Sequence, residues 1–145
     1  MSDQAEISLP VDRHTLAQAQ KWLEAAAARG RWPARTLFKI RLCLDETLTN
    51  IAMYGYPQER PAGGEPCVRL RLREEGRRLT LDVMDNGVAF DPTARTPREL
   101  DATLDEAEIG GHGLRLMLHY LEDIRHERRE GWNHLQLVAA IDDAP

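Results

Sequence analysis

The chain reads as an α+β protein, a two-layer α/β sandwich in which helices cover one face of a mostly antiparallel sheet. Three features of the sequence point there. Two helix-forming segments follow one another in the first part of the chain. Two pairs of segments with alternating apolar and polar residues each meet at a glycine turn. A single helical segment separates those pairs. With 145 residues the chain has the length of one domain, and residues 1–145 are expected to form one unit.

Taken in order, "AEISLP" is a short edge strand stopped by Pro10. Asp12 stands as N-cap of a first helix over about residues 13–29, in which Trp22 is expected to pack with Leu16 and Leu23 before Gly30 ends it. Pro33 suits a first helical turn, so a second helix is expected over about 34–53, stopped by Gly55 and Pro57. After a Pro/Gly-rich loop, "CVRLRLRE" alternates Val68, Leu70 and Leu72 with arginines, and "RLTLDVMD" alternates Leu79, Leu81 and Val83 with polar neighbours. These make an antiparallel hairpin turned at Glu75-Gly76. Residues 86–110 are turn-prone and acidic, and read as a long loop with one helical turn. "GLRLMLHYLEDI" puts Leu114, Met117, Leu118 and Leu121 on one helical face, and a last hairpin turns at Glu130-Gly131.

Composition narrows the function classes. The net charge of −5 argues against nucleic acid, which favours basic surfaces. Cys43 and Cys67 are too few for a disulfide framework, and Cys43 lies in a leucine-rich segment where a buried thiol is ordinary. The N-terminus lacks a basic region followed by an apolar stretch, and no apolar run approaches the roughly 20 residues needed to span a bilayer. A cytoplasmic protein, free of membrane and nucleic acid, is the simplest expectation.

Three constellations carry chemistry. In "LCLDETLTNIAMYGYP", at about 100° per residue, Leu37, Ile40, Leu48 and Ile51 fall within roughly 40° of Leu44, while Glu46 and Asn50 lie at about 200° and 240°. That pair is therefore off the core stripe and faces either water or a pocket. In "DVMDNGVAFDP", Asp85 ends a strand and precedes Asn86-Gly87. This is either a plain loop turn or a fixed acceptor for an exocyclic amine beside a glycine that admits a flat ring. In "IGGHGLRLM", Gly110, Gly111 and Gly113 crowd a helix start, as a hinge or as backbone able to cradle phosphate. The pattern G-x-x-x-x-G-K-[ST] is absent, which rules out a Walker loop. The histidines lack zinc-ligand spacing, no G-x-S-x-G hydrolase elbow occurs, and His14 lacks the helical hairpin of a phosphoacceptor histidine.

With these residues in view, the sequence resembles the GHKL superfamily with its Bergerat ATP-binding fold, and within it the small bacterial anti-sigma-factor serine/threonine kinases. "DETLTNIAMYGY" is similar to the N box, "DNGVAFD" to the first glycine box, "GGHGLRLM" to the second, and "ERREGWNHLQL" to the last hairpin. The resemblance implies that Asp85 accepts from the adenine amino group and that Gly87 makes room beside the base. It implies that Asn50 gives its side-chain oxygen to Mg²⁺ and that Glu46 orients or deprotonates the attacking hydroxyl. Gly111, His112 and Gly113, with Leu114 after them, would lie against the phosphates, under an ATP lid spanning about 91–110. Implied partners are a STAS-domain antagonist as phosphoacceptor and a sigma factor or similar regulator, with the kinase as a homodimer.

Some positions depart from the family pattern. Ala89 replaces a second glycine, Tyr54 stands where histidine is common, and the lid segment carries Glu99, Asp101, Asp105, Glu106 and Glu108, with Arg95, Arg98 and Arg115 as basic residues nearby. Besides a kinase, the same residues are compatible with a partner-binding module of this fold that does not transfer phosphate, and with an ATPase that transfers γ-phosphate to water.

Overall fold

The structure is a computed structural model, and it describes residues 3–56, 64–94 and 109–142. Its elements run β1 (Asp3–Pro10), α1 (Thr15–Gly30), α2 (Ala34–Tyr54), β2 (Cys67–Glu75), β3 (Arg78–Asp85), α3 (Ile109–Tyr120), β4 (Asp123–Arg129) and β5 (Trp132–Ala140). The five strands form one sheet in the order β1-β2-β3-β5-β4, and every neighbouring pair is antiparallel. This is the α+β architecture that the alternation of the strands predicts.

Strand alternation turns Leu70, Leu81, Val83 and Leu137 to one face of the sheet, where they join Leu23, Ile40 and Leu44 in a single core. Both hairpins close at the predicted glycines. In the first, Glu75 pairs with Arg78, so the connection is Gly76-Arg77. In the second, Glu130 and Gly131 have φ of 52° and 83°, the two left-handed residues that let a two-residue turn follow the twist of its strands.

The first helix begins later than its sequence suggests. Asp12 is not its N-cap, because its Oδ1 accepts from the His14 amide at 2.7 Å and holds a separate turn ahead of Thr15. Thr15 Oγ1 in turn donates to the Pro10 carbonyl at 2.7 Å, tying the helix start to the end of β1. Leu23 is buried and Trp22 packs partly against the core, but Leu16 is exposed, since the helix meets the sheet along the face that carries Ala19, Leu23 and Ala26. In α3, Leu114 and Met117 are buried while Leu118 is exposed.

The face of the sheet away from the helices has its own organising residue. Asp82 is fully buried there, taking Arg71 Nε at 3.2 Å, Arg73 Nη2 at 3.3 Å, His134 Nε2 at 2.9 Å and Gln136 Nε2 at 3.2 Å. Burial alone would raise this carboxyl, yet the donors from His134, Gln136, Arg71 and Arg73 outweigh it and hold it below its ordinary range. The carboxylate therefore stabilises the fold at neutral pH, and that contribution fades as pH falls through the lowered folded-state value. Asp82→Ala should lower the free energy of unfolding by about 2 kcal/mol, because its partners can partly rehydrate, as read from urea denaturation at neutral pH; stability equal to the wild type would refute this role.

Candidate functional site

Strand register builds one end of the sheet into a polar row. Val68, Asp85, Asn133 and Arg128 are successive cross-strand partners on β2, β3, β5 and β4, and the next inward row is Leu70, Val83, Leu135 and His126. Asp85 is therefore a carboxylate set at the margin of an apolar sheet face, and it is 5% exposed. The Gly87 amide at 3.0 Å and Asn133 Nδ2 at 3.1 Å both donate to its Oδ1, which leaves Oδ2 for a ligand. Burial raises the Asp85 carboxyl above its ordinary range, while Asn133, the Gly87 amide, Arg128 and His126 oppose that shift without cancelling it.

The turn after Asp85 is fastened from behind. Asn86 Oδ1 accepts from Tyr56 Oη at 2.5 Å and from the Cys67 amide at 2.9 Å, and its Nδ2 donates to the Glu65 carbonyl at 2.8 Å. Gly87 has a local reason to be glycine. A Cβ there would stand 2.5 Å from the carbonyl oxygen of Gly55, the residue whose amide caps α2 and whose carbonyl accepts from the Val88 amide at 2.8 Å. The close approach is thus between two backbone segments of the protein. Ala89 is exposed.

Helix α2 supplies the facing wall. Asn50 is 4% exposed and its Oδ1 is buried without a hydrogen-bond partner among the described residues. Met117 of α3 is buried with its sulfur 3.6 Å from Thr47 Oγ1, one turn before Asn50, and Asn50 lines one cleft with Met117 and the sheet residues Val83, Asp85 and Leu135. Of the two expected surroundings, water or a pocket, Asn50 meets the pocket. Glu46 lies half-buried on the same flank.

Asn50, Thr47, Asp85, Asn133, His126 and Met117 line one cleft of about 330 Å³ including its open mouth, with Phe90 and Pro92 also in its wall. Tyr54, at the family's histidine position, stacks on Phe90 with centroids 5.7 Å apart and rings 21° from parallel. The arrangement presents two acceptor oxygens, Asp85 Oδ2 and Asn50 Oδ1, among apolar side chains lining one cleft. A buried oxygen with no donor is also what a hard cation requires, and Mg²⁺ uses few protein oxygens when phosphates complete its shell.

The structure brings Asn50 and Asp85 to the same cleft, with Gly87 in the adjoining turn. Gly111, His112 and Gly113 fall in the first turns of α3, whose backbone is helical from Ile109, and Leu114 is buried under that helix. Residues 95–108, most of the expected lid with its acidic side chains, lie outside the described residues, as do 57–63; among the described residues of this loop there is a short 3-10 segment, Pro92–Ala94. Sequence reading missed Asn133 and His126. Their signal was present, since both are polar residues in the inward phase of strands whose other inward members, Leu135 and Ile124, are apolar.

A family profile described as the histidine kinase-like ATPase domain matches residues 9–139. The chain belongs to that family. It is 42% identical over 133 residues to the serine/threonine-protein kinase BtrW of Bordetella bronchiseptica, covering 92% of this chain and 91% of the relative. It is 24% identical to the serine-protein kinase RsbW of Bacillus subtilis, over 90% of this chain and 81% of that one, and 26% identical to an anti-sigma F factor of Clostridium acetobutylicum, over 63% and 61%. Among solved structures, a blue-light activated histidine kinase of Erythrobacter litoralis matches with a TM-score of 0.56 at 20% identity, over 76% of this chain and 32% of that chain. The histidine kinase domain of that protein matches with a TM-score of 0.55 at 18% identity, over 92% and 62%. Both likenesses concern the fold. Among the described residues no helix is long and apolar enough to cross a membrane.

A carboxyl raised by burial binds its proton more tightly in the folded state, so it favours folding at low pH and opposes it once pH exceeds the folded-state value. Asp85→Asn should accordingly raise the unfolding temperature at pH 7 in the absence of ligand, and the gain should shrink as pH is lowered; calorimetric scans across pH showing a loss at pH 7 would contradict this.

Proposed function

We propose that this chain is an ATP-dependent serine/threonine protein kinase of the anti-sigma type, working in the cytoplasm as a homodimer that phosphorylates a STAS-domain antagonist and holds a sigma factor or similar regulator. The observation that carries the reading is the unmet Asn50 Oδ1, buried in the same cleft as the Asp85 carboxylate. Similarity to protein kinases along most of the chain supports it.

In this reading Asp85 Oδ2 accepts from the adenine amino group, while Asn133 and the Gly87 amide keep Oδ1 in place and thereby fix which oxygen faces the base. Guanine presents a carbonyl at that position and is disfavoured by a carboxylate. Asn50 would hold Mg²⁺, which supplies charge neutralisation across the phosphates. Gly111, His112, Gly113 and Leu114 open α3, where backbone N–H groups and the positive end of the helix dipole favour phosphate. Glu46, one turn before Asn50, takes the proton of the attacking hydroxyl as its oxygen bonds to the γ-phosphorus and the bond from γ-phosphorus to the bridging oxygen breaks. Phosphoryl transfer depends chiefly on positioning and charge, so a site with few side chains suffices.

Titration calorimetry with ATP, with and without Mg²⁺, tests the site. The wild type should bind ATP more tightly with Mg²⁺, and Asn50→Ala should lose that difference; equal affinity with and without Mg²⁺ in the wild type would remove the role given to Asn50. Asp85→Asn should lose the preference for ATP over GTP. Glu46→Gln should keep ATP affinity while phosphate transfer to a serine-bearing antagonist falls about 100-fold or more, as removal of a general base requires. Transfer at the wild-type rate by that variant would favour a different base.

A further inference from the structure

The outer wall of the cleft is the segment from Val88 to Thr93, and the structure shows how it is held. The Phe90 amide donates to Asn133 Oδ1 at 3.2 Å, and the Val88 carbonyl accepts from Asn133 Nδ2 at 2.7 Å. Asp91 Oδ1 accepts from the amide and the hydroxyl of Thr93, at 2.8 and 2.5 Å, and so sets the short 3-10 turn that carries Pro92. The other oxygen of Asp91 lies 3.6 Å from His126 Nδ1, and His126 Nε2 lies 3.2 Å from Asn133 Oδ1. The imidazole is nearly enclosed, its side chain 9% exposed.

Two donations from Nδ2, to Asp85 and to Val88, fix the orientation of the Asn133 amide. Its oxygen therefore faces His126, and Nε2 of the ring must carry a hydrogen. Nδ1 then faces a carboxylate, which it attracts when protonated and repels with its lone pair when not. Among the described residues, the contacts that tie Val88, Phe90 and Asp91 to the strands pass through Asn133 or His126, and the Val88 amide also donates to the Gly55 carbonyl at 2.8 Å. On the helix side, the Tyr54 stack on Phe90 holds the same segment.

We propose that His126 is a positioning residue for nucleotide binding: hydrogen-bonded to Asn133 and standing 3.6 Å from Asp91, it holds Val88–Thr93 as a preset wall against which the base is bound. The inference rests on the cleft being the nucleotide site. A wall fixed in advance spares the ligand the cost of ordering it. Phe90 and Pro92 line the cleft together with Asp85, the residue assigned to the base, so the expected benefit falls on the base and is the same for ADP and ATP.

The test is titration calorimetry of the full chain with Mg-ADP and Mg-ATP. His126→Leu should weaken both nucleotides by the same factor, about fivefold, the size of one lost hydrogen bond toward Asn133. His126→Gln keeps a donor toward Asn133 and loses only the Asp91 arm, so its loss should be smaller. Asp91→Asn should match His126→Gln, and the double variant should be no worse than either single change, since both remove the same contact. Wild-type affinity in His126→Leu, tighter binding in it, or additive losses in the double variant would each overturn the proposal. If the leucine variant does not fold, the Gln and Asn variants carry the comparison alone. Failure of the wild type to bind either nucleotide would overturn the nucleotide reading itself and this inference with it, a result distinct from wild-type binding that His126 does not affect.

Discussion

Asp85 and Asn133 sit side by side on neighbouring strands at the margin of an apolar sheet face, and the contact between them constrains much of what surrounds it. A carboxylate there is costly unless donors meet it, and burial does raise its affinity for a proton. The fold answers with a donor from β5 and one from the turn that follows Asp85 itself. Both donors fall on one oxygen, so the other stays available in the cleft. The same amide of Asn133 then reaches on to Val88 and Phe90, which means that satisfying the carboxylate also places the loop leaving β3. Charge burial and loop geometry are solved by one residue.

The helical layer meets the sheet at this point through α2. Its core stripe, Ile40, Leu44, Leu48 and Ile51, is buried against the strands, while its other flank is covered by α3. A helix covered on both sides can bury a polar atom where a surface helix would hydrate it. Asn50 Oδ1 is such an atom, and its lack of a donor among the described residues is a standing cost of the order of 1–3 kcal/mol that a ligand could relieve. At its end, α2 approaches the Asp85 turn so closely that only glycine fits at Gly87, facing the Gly55 carbonyl. Position and chemistry of the cleft are therefore set by three close meetings: β3 with β5, α2 with α3, and Gly55 with Gly87.

The opposite face of the sheet follows another logic. There Asp82 gathers Arg71, Arg73, His134 and Gln136 into a hydrogen-bonded polar layer across the arginine-rich strand. Beside it Arg69 lies over the Trp132 ring, 4.6 Å from its centroid. One strand, β3, thus carries a buried carboxylate on each face. Asp82 is held charged by surrounding donors, and Asp85 is left partly unmet. The stabilising carboxylate and the ligand-ready one differ in how many donors surround them.

The sequence by itself determined the period of each element and hence the two layers. Alternation in "CVRLRLRE" and "RLTLDVMD" marked β2 and β3, glycines marked the hairpin turns, and Pro33 and Gly55 bounded α2, because these are local preferences of backbone and side chain. The Asp85 turn and the Glu46/Asn50 pair were legible for the same reason, as fixed spacings within one element. Local signals misjudged the start of α1, where an Asx turn and a tie to β1 outweigh Asp12 as a cap, and they could not say whether Asn50 faces water or protein. That was decided by the packing of α2 against the sheet and α3, between residues far apart in the chain. Asn133 and His126 were likewise fixed only by register, since it is pairing across β3, β5 and β4 that sets them beside Asp85 and the segment after it. Pattern along the chain specifies faces; which residues share a cleft depends on long-range packing that no local preference encodes.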